Sequence, residues 1–140
     1  MMRTKWHVKD DPLEELLRDI CRIACDTLGE GADPDDLRRS CKLYHVARAR
    51  RLAMWLMRST LINDRNRVRY IPHAPFGMRI STPMLAYYFD CDHSLVMRAF
   101  RNLPTESVCD NALAALYDQW PKSLAARITE TPAPYVPLLR

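Results

Sequence analysis

The chain has 140 residues, of which 48% are hydrophobic and 27% are charged. This balance is typical of a folded domain with a modest core, so we predict one domain over residues 1–140 rather than a disordered chain. Arg or Asp interrupts every long apolar run, and residues 1–11 lack the apolar core of a signal peptide. Both features argue against a membrane partner, and we expect a cytoplasmic protein.

The net charge of +4 is unevenly distributed along the chain. Residues 41–103 contain 11 basic and 3 acidic side chains, whereas residues 1–40 contain 7 basic and 10 acidic ones. This concentration of positive charge is expected of a phosphate-binding surface, although an ordinary solvated basic face has the same composition. Five cysteines without CxxC spacing predict reduced, mostly buried thiols rather than disulfides or a metal site.

Helical spacing of apolar residues predicts an all-α, compact helical domain, and three glycines in the whole chain agree with it. The first predicted helix begins at Pro12 and ends near residue 28, before Gly29. A short helix begins at Asp33-Pro34, and a longer one runs from about Tyr44 to Thr60. Residues 104–128 form a helical extension, and the Pro-rich tail at 129–140 is predicted to be extended, either as a free end or as a partner-docking segment.

Residues 61–80 interrupt the helical pattern as a basic insertion. Residues 67–71 alternate as a strand does, residues 72–77 have turn chemistry, and residues 78–80 fit a returning strand. We predict either a small β-hairpin or an irregular loop. As a hairpin it would be a wing that places four arginines on phosphates, namely Arg65, Arg67, Arg69 and Arg79.

Residues 81–103 have the pattern of a helix-turn-helix. Thr82 is predicted to cap the first helix, with Pro83 at its first helical position. Asp90-Cys91 breaks the apolar spacing, and Asp92 starts a second helix as its cap or within its first turn. In that helix Val96, Ala99, Phe100 and Leu103 share one face, so Phe100 is predicted to be buried against the long helix. An ordinary pair of packed helices remains the alternative.

Enzyme chemistry has little support in the sequence. The four histidines have no HExxH spacing, and no Ser/His/Asp or Cys/His arrangement lies in a recognisable local motif. We therefore predict no catalytic residues, no metal ligands and no cofactor.

Three segments resemble a known family. His45–Met54 (HVARARRLAM) is similar to the VARPRQxAM-type segment of the C-terminal DNA-binding domain, domain IV, of the bacterial replication initiator DnaA. Asp92–Val96 (DHSLV) resembles the family's DHTTV signature, and Ser81-Thr82-Pro83 resembles its SLPEIG start. The resemblance covers residues 13–103 and implies a Trp repressor-like helix-turn-helix. A Gly-rich phosphate loop is lacking, so the initiator's ATPase is not expected.

The resemblance also implies roles for individual residues. Asp92, His93 and Ser94 would open the recognition helix and touch base edges, and Arg48 would reach an adjacent minor groove. The expected phosphate contacts are Lys42, Arg50 and Arg51. The family's Gly-Gly-Arg turn is shortened here to Asp90-Cys91, which could rotate the helix and bring Met97 or Arg98 to the bases.

These features together predict sequence-specific binding of double-stranded DNA by a transcription or replication regulator, associated with the bacterial nucleoid. The alternative is an adaptor that retains the fold but not DNA reading, and that acts through a protein partner or self-association. A shared positive face at Arg48, Arg50, Lys42 and the start of the second helix would favour DNA, whereas acidic side chains over that face would favour the adaptor.

Overall fold

The computed structural model describes residues 12–39, 43–64, 67–71, 77, 79–120 and 131–132. Helices account for most of these residues, so the all-α prediction is confirmed. The elements in chain order are α1 (Pro12–Leu28), a 3₁₀ helix (Pro34–Arg38), α2 (Tyr44–Thr60), β1 (Leu61–Asp64), β2 (Arg67–Tyr70), α3 (Thr82–Tyr88), α4 (His93–Arg101), α5 (Glu106–Gln119) and β3 (Thr131–Pro132).

The core lies between α1 and α2, because each of these helices carries a continuous apolar stripe. The buried side chains of α1 include Leu13, Leu16, Leu17, Ile20 and Ala24. Those of α2 include Val46, Ala49, Leu52, Ala53, Leu56 and Met57. Helices α3, α4 and α5 add their own apolar faces to the same cluster. The α1–α2 pair is therefore the scaffold on which the helix-turn-helix sits.

A small antiparallel hairpin follows α2 without a linker. Leu61 of β1 pairs with Tyr70 of β2, and Asp64 pairs with Arg67. The predicted strand at 67–71 is thus confirmed, but its predicted partner at 78–80 is wrong. Arg79 instead forms a single bridge with Ile62, which also pairs with Arg69 of β2, so the returning chain lies beside β1.

The sheet is anchored at the far end of α5. The Tyr70 hydroxyl donates to the Trp120 carbonyl at 2.6 Å, and the Trp120 indole N–H donates to Asp19 of α1 at 2.7 Å. Burial raises the pKa of the Tyr70 phenol. Within the predicted Pro-rich tail, Thr131–Pro132 form the short strand β3, which pairs with β2. Residues 121–130 and 133–140, including the end of the predicted extension, lie outside the described residues.

Arg58 joins α2 to the helix-turn-helix. Its guanidinium donates to the Thr82 hydroxyl at 2.9 Å and to the Ile80 carbonyl at 3.4 Å, and it lies 4.3 Å from the centre of the Phe100 ring. Burial, with a smaller contribution from nearby Arg79, lowers the pKa of Arg58. Phe100 therefore packs on α2 as predicted, with the Arg58 guanidinium over one side of its ring, but it is half-buried rather than buried.

We expect Phe100→Ala to lower the free energy of unfolding by about 2 kcal/mol, less than the roughly 3–5 kcal/mol lost at a fully buried phenylalanine. Phe89, which is 1% exposed in the same helix-turn-helix, provides the matched control, and Phe89→Ala should show the full loss. Urea denaturation of both variants measures the difference. An equal loss at the two positions would show that Phe100 contributes more to the core than its exposure indicates.

Candidate nucleic-acid interface

The start of α3 is fixed by a serine cap. The Ser81 hydroxyl accepts a hydrogen bond from the backbone N–H of Met84 at 3.3 Å, so Ser81, and not Thr82, caps this helix. The Thr82 hydroxyl instead accepts from the Arg58 guanidinium. The predicted cap is therefore displaced by one residue, with Pro83 still in the first turn.

The turn between α3 and α4 closes on its own backbone. The N–H of Cys91 donates to the carbonyl of Ala86 at 3.0 Å, and that of Asp90 donates to the carbonyl of Tyr87 at 3.3 Å. These two bonds form a Schellman motif, in which the residue at the left-handed position is usually glycine. Asp90 occupies that position with a φ of +51°. The shortened Asp90-Cys91 segment thus still gives a tight, hydrogen-bonded turn.

Helix α4 has one buried and one exposed face. Val96 and Ala99 are buried against the core, and Leu95 and Phe100 are half-buried. The exposed side chains recur at helical spacing and are Ser94, Met97, Arg98 and Arg101. A helix held by its apolar side with a polar and cationic face in solvent is the arrangement that a recognition helix needs.

The first polar residues of α4 bond to one another. Asp92 occupies the N-cap position of the helix without a side-chain capping bond, and its carboxylate accepts from the Ser94 hydroxyl at 2.7 Å. The Nδ1 atom of His93 lies 3.5 Å from the same carboxylate. The Ser94 hydrogen bond and the neighbouring His93 lower the pKa of Asp92, so its carboxylate is charged at neutral pH.

A cleft of about 830 Å³ separates the start of α4 from α2. Arg51 of α2 lies on one wall, and Arg98 and Ser94 of α4 lie on the other. The remaining lining residues are Arg39, Ala47, Arg50, Asp90, Cys91, Asp92 and Leu95. Three arginines (Arg39, Arg51 and Arg98) and two aspartates therefore face the cleft, with Arg50 largely buried behind it, and its balance of charge is positive.

A second, smaller pocket of about 390 Å³ lies on the other side of Arg51. Arg48 lines it together with Tyr44, whose ring centre is 5.5 Å from the Arg48 guanidinium carbon. Asn102 and Leu103, which follow α4, form the opposite wall. The structure thus places Arg48 beside the end of α4, whereas Asp92, His93 and Ser94 lie at its beginning.

The cations around α4 differ from those on α1 and the 3₁₀ helix in their pairing. Among the described residues, Arg48, Arg51, Arg98 and Arg101 form no ion pair. By contrast, ion pairs are formed by Arg18, Arg22, Arg38 and Arg39. Unpaired guanidinium groups on two neighbouring helices are available to a polyanion, because binding does not first require an existing ion pair to break.

Arg50 does not fit the phosphate contact predicted for it. Its side chain is 5% exposed, and its guanidinium donates to the carbonyls of Leu37 at 2.9 Å, Arg39 at 2.8 Å and Asp36 at 3.3 Å. These carbonyls lie at the end of the 3₁₀ helix, where backbone acceptors lack helical partners in general, although that of Asp36 also accepts from the backbone N–H of Arg39 at 3.3 Å. Arg50 is therefore a structural residue that joins α2 to the 3₁₀ helix, and we remove it from the interface.

We expect Arg50→Met to lower the free energy of unfolding by about 2–3 kcal/mol, because it leaves buried carbonyls without a donor. Arg51→Met is the matched control: the neighbouring residue is half-exposed, and its loss should cost less than about 0.5 kcal/mol. Chemical denaturation distinguishes the two. If the order were reversed, Arg51 rather than Arg50 would be the residue that holds the scaffold.

Two other predicted contributions concern Lys42 and the arginines of the predicted wing. Lys42 and Arg65 lie outside the described residues. The hairpin itself begins ten residues beyond Arg51, about 15 Å further along the axis of α2. We therefore do not include the hairpin arginines in the interface.

Arg39 and Arg101 belong to the surface around α4 but were not among the predicted site residues, and Met97 was named there only as an alternative base contact. The outer face of α4 could be recognised from residue spacing. Met97, Arg98 and Arg101 follow Ser94 by three, four and seven residues, and residues at these separations lie on one face of a helix. Arg39 had no comparable signal, because its position in the cleft depends on how the 3₁₀ helix packs.

The described residues contain no group of three or more His, Cys, Asp or Glu that could hold a metal ion. Cys21, Cys25, Cys91 and Cys109 form no disulfide within the described residues. None of the described helices is both long enough and apolar enough to cross a membrane. Comparisons of the chain with protein-family models, curated proteins and solved structures found no match.

Proposed function

We propose that this protein binds double-stranded DNA in a sequence-specific manner through the α3–α4 helix-turn-helix, and that it regulates transcription or replication without ATPase activity. The observation that supports this most is the position of unpaired arginines on both sides of the cleft at the start of α4. Arg51 lies on α2 and Arg98 lies on α4, so a bound polyanion would contact both helices. The resemblance to domain IV of the initiator leads to the same proposal.

The dimensions of α4 suit the major groove. A helix with its side chains is about 10–12 Å in diameter, and the major groove of B-form DNA is about 12 Å wide. With the exposed face of α4 in the groove, Arg51 and Arg98 would contact the phosphates that border it. Arg48, at the other end of α4, is the proposed minor-groove residue, as the resemblance implies.

The adaptor function has one observation in its favour. Asp90 and Asp92 line the cleft, and their negative charges would repel a phosphate backbone. A protein partner with basic side chains could use these carboxylates together with the exposed apolar groups of Leu43, Tyr44 and Met97. We favour DNA because arginines outnumber aspartates in the cleft and because Arg48 and Arg101 add positive charge nearby.

Selection from random duplex DNA with the purified protein tests the proposal directly, because it detects binding and identifies the site together. An enriched sequence, with its affinity lost in the double variant Arg51→Ala/Arg98→Ala, is the expected result. Arg18→Ala is the matched control, since this exposed cation lies on α1 in a different pocket. Failure to enrich any sequence, together with weak binding at low salt, would favour the adaptor.

A further inference from the structure

The polar residues that open α4 have a restricted capacity to read bases. The Ser94 hydroxyl has one hydrogen to donate, and that hydrogen bonds to the Asp92 carboxylate. The two side chains therefore present acceptors, which suit only the amino groups of cytosine and adenine. Recognition of the other groups on the base edges requires His93 or residues further along the helix.

One turn further along α4, Met97 presents an exposed apolar side chain. It is 47% exposed, although most large apolar side chains of the described residues are buried or half-buried. The exposed cations Arg98 and Arg101 lie next to it on the outer face and form no ion pair within the described part of the chain. Met97 is thus an apolar group at the centre of a cationic helix surface.

The charge around Met97 indicates which kind of partner covers it. Flanking guanidinium groups favour a polyanion over the apolar surface of a second protein. In the major groove the apolar group accessible to a side chain is the 5-methyl of thymine. Methionine has an unbranched, flexible side chain that adapts to such a contact.

We infer that Met97 is a specificity-determining residue that packs on the 5-methyl group of a thymine in the major groove. This inference rests on the proposed function and adds a defined feature of the DNA ligand to it. The preferred site would contain an A·T pair opposite the middle of α4. The base pairs that Ser94 and Arg101 reach would lie on either side of this A·T pair.

Replacing thymine by deoxyuridine, one position at a time, in the selected duplex tests the inference. Uracil keeps the base pair and removes only the methyl group, so wild-type affinity should fall about fourfold at one position, the effect of burying one methyl. In Met97→Ala the uracil effect at that position should disappear. In Leu43→Ala, which removes another exposed apolar side chain, it should be unchanged.

The outcomes separate this inference from the proposed function. If wild-type protein binds thymine and uracil duplexes equally at every position, or if Met97→Ala retains the full uracil effect, Met97 does not read a methyl group although the protein binds DNA. If wild-type protein binds no duplex, the proposed function is wrong and the inference is wrong with it. Met97→Leu should retain most of the uracil effect, since it keeps an apolar side chain of similar length.

Discussion

Replacing Arg38 by alanine is expected to lower the free energy of unfolding by about 3–5 kcal/mol. Arg38 forms a two-pronged ion pair with Glu14 of α1, with distances of 2.8 and 3.2 Å. Both side chains are 8% exposed. Its removal would leave the buried Glu14 carboxylate with the more distant and exposed Arg18, whose Nε atom lies 3.6 Å away. A buried charge that has lost its close, two-pronged partner is costly in a medium of low polarity.

The position of this ion pair connects it to the candidate interface. The Nε atom of Arg38 also donates to the carbonyl of Tyr88 at 3.3 Å, and Tyr88 is the last residue of α3. One guanidinium therefore joins α1, the 3₁₀ helix and the end of α3 that leads into the turn. Loss of Arg38 should weaken the support of the helix-turn-helix as well as overall stability.

The neighbouring residue provides the control. Arg39 forms an ion pair with Asp36 at 3.5 Å, but its side chain is 66% exposed, so Arg39→Ala should cost less than about 1 kcal/mol. The double variant Glu14→Leu/Arg38→Met should recover much of the loss, because it removes both buried charges together. Urea denaturation measures all three. Equal losses from Arg38→Ala and Arg39→Ala would contradict a special role for the buried pair.

The helices of this fold could be predicted from sequence because their signals are local. The apolar spacing of α1 and of residues Tyr44–Thr60 can be recognised within one or two helical turns of sequence. The start of α3 is marked by Ser81 and Pro83. Apolar spacing of this kind shows which face is buried without knowledge of the partner. The boundaries of α2 were therefore predicted correctly.

The strand β1 could not be predicted in the same way. Leu61 and Ile62 continue the apolar composition of α2, and no Gly or Pro marks the change from helix to strand. The strand exists because residues 67–70 pair with it, and such pairing depends on a contact outside the local segment. The sequence therefore indicated β2 but assigned it the wrong partner.

The arginines show a similar limit for the candidate site. Arg50 and Arg51 are adjacent and of the same type, and both were predicted to contact phosphate. Successive residues on a helix point about 100° apart, so Arg50 enters the core, whereas Arg51 faces the cleft. The carbonyls that receive Arg50 come from the 3₁₀ helix, and its position relative to α2 is not encoded in local spacing.

Binding to duplex DNA is expected to weaken steeply as salt increases. If Arg48, Arg51, Arg98 and Arg101 each neutralise one phosphate, the plot of log K against log salt should have a slope of about −3.6. Affinity would then fall about 150-fold between 50 and 200 mM salt. These four guanidinium groups form no ion pair within the part of the chain that the structure describes, so we assign one contact to each. Each can displace a counterion without first losing such a pair.

Single variants test which arginines contribute to that slope. Arg51→Ala should reduce it by about 0.9, because one phosphate contact is removed, and Arg98→Ala should do the same if it contacts a phosphate. Arg18→Ala removes an exposed cation from α1, away from the cleft, and should leave the slope unchanged. Fluorescence anisotropy with a labelled duplex at five or more salt concentrations gives each slope. A slope near zero for the wild-type protein would contradict phosphate binding, and an equal change in all three variants would show that overall charge, rather than the surface around α4, determines binding.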